Sequence, residues 1–211
     1  NLIKKDPKNK NIIKPVLKGK DISKWEILFE NSYLVCTANG INVEKEYPTI
    51  YTYLNQYVDD LRKRCNKGDK WYNLKTCKYY SDFEEGKLIW PAISGKFGLF
   101  AVYDENNFYI DTTCFMLNHD DKNVLKILGA LFSSKVLNFV FKIMGGMLGS
   151  KGLRLKKLYV KNLPIKFPDD EFADRLVELV DRLQYETTNL NNLTEDKQEV
   201  KKVLISKLED E

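Results

Sequence analysis

The chain has 211 residues, 43% hydrophobic and 30% charged, enough for one good core or one core with a helical appendage. Its longest apolar run, at 127–132, is far too short to cross a bilayer, and no basic-then-apolar leader follows Asn1, so the sequence reads as a piece of a longer protein with no membrane partner. Net charge is only +4, but residues 167–211 carry 13 acids and 6 bases while residues 1–166 carry 28 bases and 17 acids, a basic body (+11) with an acidic tail (−7).

A basic body attracts phosphate through counterion release. Charge alone does not decide, because lysine-rich surfaces also keep proteins soluble. The cysteines, Cys36, Cys65, Cys77 and Cys114, form no C-x-x-C pair, and His119 is the only histidine. That supply is too poor for a structural zinc site, so no metal is expected. Scattered thiols point to a reducing cytoplasm.

Residues 1–24 hold eight lysines and two aspartates, and the first ten read as a solvated lead-in. IIKPVLKGKDI, broken by Pro15 and Gly19, predicts a short extended segment entering a turn. SYLVCT at 32–37 predicts a strand, with Asn39-Gly40 as a turn. Pro48 opens a helix running to about Arg64, with Ile50, Leu54, Tyr57, Val58 and Leu61 on one face. A polar and aromatic loop, 65–86, precedes strands at 87–93, 98–103, 108–111 and 113–117, which read as an antiparallel meander. From Asn118 to about Met144, Val124, Leu125, Leu128, Leu131, Phe132, Val136, Phe139 and Val140 recur at helical spacing on more than one face, predicting a largely buried helix. LRLKKLYVKNLPI alternates well enough for one more strand. Beyond Phe167 a stripe of Phe172, Leu176, Leu179, Val180 and Leu183 is continued, with a break near 188–195, by Leu190, Leu193, Val200, Val203, Leu204 and Leu208. This predicts a long helix or helical hairpin that needs a partner surface. The class is α+β: a curved, mostly antiparallel sheet with flanking helices over 1–166, then an acidic helical segment over 167–211.

The order of segments resembles the TaqI-like C-terminal specificity domain of adenine-N6 DNA methyltransferases and of fused type II restriction–modification enzymes. It is more distantly similar to the target-recognition domains of type I specificity subunits. The residues that carry the resemblance are KPVLKGKDISKW at 14–25, YP at 47–48 with the helix behind it, KWY at 70–72, KLIWPAIS at 87–94, ILGALFSSKVLNF at 127–139 and KGLRLKKLYVKNLPI at 151–165. One departure is Phe132-Ser133-Ser134-Lys135, where such domains often read L-N-S-K. The resemblance implies a partner, double-stranded DNA, and an upstream methyltransferase domain of the same polypeptide. That domain would use S-adenosylmethionine, with magnesium if the parent also cleaves. This fragment has no N-P-P-Y motif, only Asn162-Leu163-Pro164-Ile165, and Gly145-Gly146 follows a helix instead of joining a strand to one. No catalytic residues and no cofactor are therefore expected here.

Candidate DNA contacts follow from residue chemistry. Lys18 and Lys20 flank Gly19, where a glycine turn lets two ammonium groups approach one phosphate; the alternative is a solvated turn. Lys70, Trp71 and Tyr72 place a cation beside two aromatics suited to stacking or wedging, unless Trp71 plugs the core. Ser94, Lys96 and Phe97 sit in a tight connection whose tip suits a groove, with Lys96 able to bond guanine O6 or N7; a plain exposed hairpin is the alternative. Lys151, Arg154, Lys156 and Lys157 follow a glycine-rich turn, and Arg154 suits a bidentate guanine or phosphate contact. Asp82, Glu85 and Lys87 mimic a metal-dependent nuclease string, but E-x-K strings arise by chance in so charged a chain. The competing function is a non-catalytic protein-interaction or RNA-binding module with a basic face. The tail is expected to pack on the body, on the methyltransferase domain, or on a second copy by self-association through its helices.

Overall fold

The computed structural model describes residues 1–95, 97–144, 147–149, 152–190, 193 and 195–210. The lead-in is folded, although most of its side chains face solvent. Helix α1 (Leu2–Lys5) is followed by a 3-10 turn, Pro7–Asn11, whose cap Asp6 accepts from the Lys8 amide at 3.0 Å. Asn9 is fully buried and its Nδ2 donates to the Leu2 carbonyl at 2.9 Å. Polar side chains that satisfy nearby backbone groups explain order where apolar periodicity is missing.

Strand β1 (Ile13–Leu17) enters the predicted turn, here a 3-10 segment Gly19–Asp21. The hairpin β2 (Ile22–Ser23) and β3 (Glu26–Ile27) follows, and β4 (Tyr33–Val35) pairs antiparallel with β1, Ile13 opposite Val35. Helix α2 (Val43–Glu46) precedes the predicted helix, which is broken into α3 (Pro48–Asn55) and α4 (Val58–Lys63). The amides of Gln56 and Tyr57 tighten to bonds three residues back, and α4 buries no residue that would hold one axis.

Strand β5 (Lys87–Pro91) is buried at every position and lies between β7 (Val102–Asp104) and β9 (Cys114–Asn118), antiparallel to both. The α+β class holds, but the expected meander is divided among small sheets. Strand β6 (Ile93–Ser94) leaves to pair with β10 (Leu153–Arg154), and β8 (Tyr109–Ile110) pairs in parallel with β1. The Asp104 carboxylate accepts from the amides of Asn106 (2.9 Å) and Phe108 (3.2 Å), which turns the chain out of the β5 sheet before β8 begins. The Tyr109 ring then stacks on Phe83 at 4.7 Å.

The long helix is two, α5 (Lys122–Ser133) and α6 (Lys135–Ile143), bent by 66°. Ser134 is extended and its hydroxyl accepts from the Leu137 amide at 3.2 Å, an N-cap that starts a new helix. The bend carries Val136, Phe139 and Ile143 outward, to 72, 65 and 69% exposure, so the expectation of burial fails along that face. Leu125, Phe132, Leu137 and Phe141 form the core with Leu88, Trp90 and Leu155. The predicted strand over 153–165 is extended only at Leu153–Arg154 and then winds into α7 (Lys157–Val160).

Helices α8 (Asp170–Thr188) and α9 (Glu195–Asp210) make the hairpin. It covers the body: Val180, Leu183 and Leu208 pack on Trp25, and Asp181 and Asp210 pair with Lys126 (2.6 Å) and Lys135 (2.7 Å).

Lys87 and Asp104 form a 2.7 Å ion pair with no solvent exposure. The ammonium also donates to the carbonyls of Phe83 (2.9 Å) and Glu85 (3.3 Å). Removing one partner strands the other charge in the core. Asp104→Ala should therefore cost about 3–5 kcal/mol in urea unfolding. Burial pushes the thiols of Cys36 to about 11 and of Cys114 to about 12. A raised folded value means stability is whole below the ordinary thiol range and is lost as pH climbs through 11–12. The melting temperature should fall on that alkaline limb, and iodoacetamide on the native chain near neutral pH should label the exposed Cys65 while sparing Cys36 and Cys114.

Candidate nucleic-acid interface

Two residues of β6 and two of β10 form a short ribbon with a clear polarity. Ser94 and Leu153 are opposite each other and buried; Ile93 and Arg154 are opposite each other and exposed. The pleat thus sends the Arg154 guanidinium to solvent beside an apolar side chain. Gly152 has φ +151°, and a Cβ there would fall on the Ser94 carbonyl, so this approach of two strands needs glycine. The end of β5 fixes the ribbon: the Leu155 amide donates to the Ala92 carbonyl (2.9 Å), and the Trp90 indole donates to the Leu155 carbonyl (3.1 Å). Lys156 and Lys157 follow, both exposed, as the N-cap and first residue of α7.

The turn at 18–20 meets the same place. The Gly19 amide donates to Thr113 Oγ1 at 2.7 Å, and a Cβ on Gly19 would lie 2.9 Å from the Thr113 carbonyl. That carbonyl accepts from the Ala92 amide at 2.7 Å. One run of hydrogen bonds, through the Thr113 hydroxyl and the backbone of Thr113, Ala92 and Leu155, therefore links the Lys18–Lys20 turn to the Arg154–Lys157 segment. Lys18 is exposed, and its own amide is held by buried Asp21 at 2.8 Å. Lys20 is exposed but paired with Glu30, a bond that raises the lysine pKa and lowers the carboxylate's. Two exposed partners exchange easily for phosphate.

Beside this edge lies an open groove of about 840 Å³, floored by Val16, Ile110 and Met116 and rimmed by Tyr79, Asp82, Thr112, Asn118 and Lys157. Next to Phe83 of its lining, the exposed Glu84 accepts from Lys14 (2.8 Å) and the Tyr109 hydroxyl (2.7 Å). Burial pushes the Glu84 carboxyl up, but those two bonds outweigh it and hold it below the usual range. The Tyr109 phenol is raised, first by burial and then by its bond to Glu84. With Asp82 and Asp111 against Lys157, the groove is a poor trough for phosphate and suits groups that carry hydrogen-bond donors.

Not every predicted contact is here. Trp71 and Tyr72 belong to a separate cluster with Val43, Tyr47 and Ile50. Tyr72 is 4% exposed, and Trp71, half-buried, packs on Tyr51 with ring centroids 5.8 Å apart. The Arg64 guanidinium donates to the carbonyls of Trp71 (2.9 Å) and Asn73 (3.1 Å) and holds the loop inward. Tyr72 is thus a core residue, not a contact, and Ser94, 3% exposed and turned inward, is corrected in the same way. Lys70 stays exposed, its ammonium 5.7 Å from the centroid of the Tyr72 ring. Lys96 and Lys151 lie outside the described residues. The nuclease-like string does not assemble, because Lys87 is sealed against Asp104. Sequence reasoning missed Ile93 and Thr113. The signal for Thr113 was Asp111 two residues earlier, whose carboxylate accepts from the Thr113 amide at 2.8 Å, a turn motif read as strand.

Residues 14–165 match the model of the TaqI-like C-terminal specificity domain. No curated protein matches the chain. Among solved structures, the chain is similar to the type IIL restriction-modification enzyme MmeI in complex with DNA, with a TM-score of 0.64 and 12% identity over 99% of this chain and 28% of that one. It is also similar to the type IIG restriction endonuclease BpuSI, with a TM-score of 0.57 and 17% identity over 95% of this chain and 26% of that one. The chain spans about a quarter of the length of these enzymes.

Gly152→Ala should force the ribbon apart at Ser94. Urea unfolding should show a loss of about 1–3 kcal/mol, the usual cost of a side chain in a glycine-only conformation.

Proposed function

Because the chain belongs to the TaqI-like C-terminal specificity domain family, we propose that it reads a duplex DNA site on behalf of a restriction–modification methyltransferase whose chemistry resides elsewhere in the same polypeptide. The observation that carries the reading is the convergence of Lys18, Arg154, Lys156 and Lys157, from distant parts of the chain, on one hydrogen-bonded framework around Thr113 and Ala92. Lysines on such an edge supply phosphate contacts that set register, and a guanidinium beside an exposed aliphatic side chain can reach a base edge.

In this reading residues 1–166 are the recognition body and 167–211 a helical segment that braces it. The reaction is methylation of an adenine N6 amino group. The specificity domain orients the duplex so that a catalytic domain, holding S-adenosylmethionine, can extrude the adenine. Any cleavage would add magnesium chemistry in that other part of the polypeptide. Free cysteines at 36, 65, 77 and 114 agree with a reducing cytoplasm. Self-association of α8 and α9 belongs to the same proposal.

The test is retention on duplex DNA as salt rises. Wild type should weaken steeply, whereas an apolar protein-docking module would not, and an equal length of structured RNA should compete poorly. Arg154→Ala with Lys156→Ala should leave the melting temperature unchanged, both side chains being exposed, and lower the salt slope by about 0.9 per phosphate lost. Equal retention by wild type and double variant at low salt would remove this edge from the interface.

A further inference from the structure

Trp25 holds φ +67°, a backbone region that bulky side chains rarely occupy. Such a conformation persists only where its surroundings over-determine it. Here the surroundings come from the far end of the chain. The Trp25 indole donates to Glu209 at 2.7 Å, and the Lys24 ammonium pairs with the same carboxylate oxygen at 2.7 Å. The ammonium also lies 5.5 Å from the centroid of the Trp25 ring, and that ring packs on Val180, Leu183 and Leu208. One carboxylate of α9 thus clamps both residues of the β2–β3 turn.

That hairpin is stiffly joined to the Lys18–Lys20 turn. Ile22 and Ser23 pair with Ile27 and Glu26, and the Leu28 amide donates to the Asp21 carbonyl at 2.7 Å. Asp21, fully buried, accepts from the Lys18 amide through its side chain and donates its own amide to the Lys18 carbonyl at 2.9 Å. Between Glu209 and Lys18 every link is a hydrogen bond or a ladder pair.

We propose that Glu209 is a positioning residue for DNA binding: through Trp25 and the β2–β3 hairpin, the C-terminal helix sets the Lys18–Lys20 turn against Thr113 in the pose that receives a phosphate. Glu209 carries the wrong charge to touch DNA and acts only through the turn. The proposal rests on the DNA-binding reading above for its consequence and on the hairpin geometry for its cause.

The test compares three variants of the full chain by hydrogen exchange at residues 18–21 and by duplex retention between roughly 50 and 200 mM salt. Glu209→Ala loses both bonds. Glu209→Gln keeps an acceptor for the indole but not the ion pair with Lys24. Leu204→Ala weakens the same tail cluster while leaving the Glu209 carboxylate and its bonds to residues 24 and 25 in place, and serves as the stability control. The expected result is exchange at 18–21 accelerated by about tenfold in Glu209→Ala, less in Glu209→Gln and not in Leu204→Ala, with the salt slope of Glu209→Ala lower by about 0.9. Unchanged exchange at 18–21, or the same acceleration in Leu204→Ala, would reduce the contact to fold stability and overturn the proposal. Accelerated exchange with an unchanged slope would also overturn it, while leaving the DNA reading intact if Arg154→Ala with Lys156→Ala still weakens retention. Failure of wild type to retain any duplex would overturn both.

Discussion

Strand β5 is the constraint on which both the groove and the ribbon depend. It is five residues long, about 17 Å at the usual rise, and buried throughout. At its start Lys87 is sealed against Asp104 and the carbonyls of Phe83 and Glu85. A buried ammonium is tolerated only when every donor is satisfied. Satisfying this one fixes the 3-10 segment Ser81–Glu84, and Asp82 and Phe83 of that segment line the groove. Just past its other end Ala92 offers a carbonyl to Leu155 and an amide to Thr113. One strand therefore places the groove wall at one end and the candidate DNA-contacting edge at the other. Loops that would wander if hung on each other are hung on a strand buried at every position.

The charge asymmetry acquires a structural meaning. The acidic tail does not simply offset the basic body. Its Asp181, Glu209 and Asp210 are spent on Lys126, Lys24 and Lys135. None of those lysines belongs to the edge formed by Lys18, Arg154, Lys156 and Lys157. The tail neutralises cations where it docks, and the body's surplus is felt elsewhere. At physiological salt the field of a charge fades over roughly 8 Å, so this local arrangement matters more to a phosphate than the small net charge of the chain.

Much of the architecture was legible. Apolar spacing and caps located α3, α5 and α8, and the interrupted stripe beyond 167 announced a long helix or a hairpin without deciding between them. The failures share a physical origin. Whether Ser134 ends one helix or sits inside a longer one depends on its hydroxyl capping Leu137 and on Asn138 bonding both Leu99 and Phe132 across the bend, and the second of these is a tertiary fact. The parallel pairing of β8 with β1 joins residues more than ninety positions apart. No periodicity within either segment distinguishes it from the neighbouring antiparallel strands.

The site shows the same limit at finer scale. Composition singled out the 70–72 and 94–97 turns because they mix cations, hydroxyls and rings. Composition does not fix register, and a strand reverses its facing at each residue. Ser94 and Ile93 illustrate the cost of one step: the hydroxyl offered as a contact is inside, and the aliphatic chain beside it is out, opposite Arg154. Arg154 was singled out for its chemistry, yet it is at the surface only because Leu153 takes the core position and Gly152 lets the strands close. What makes the arginine available is therefore the pair of residues before it, neither of which carries any chemistry of its own.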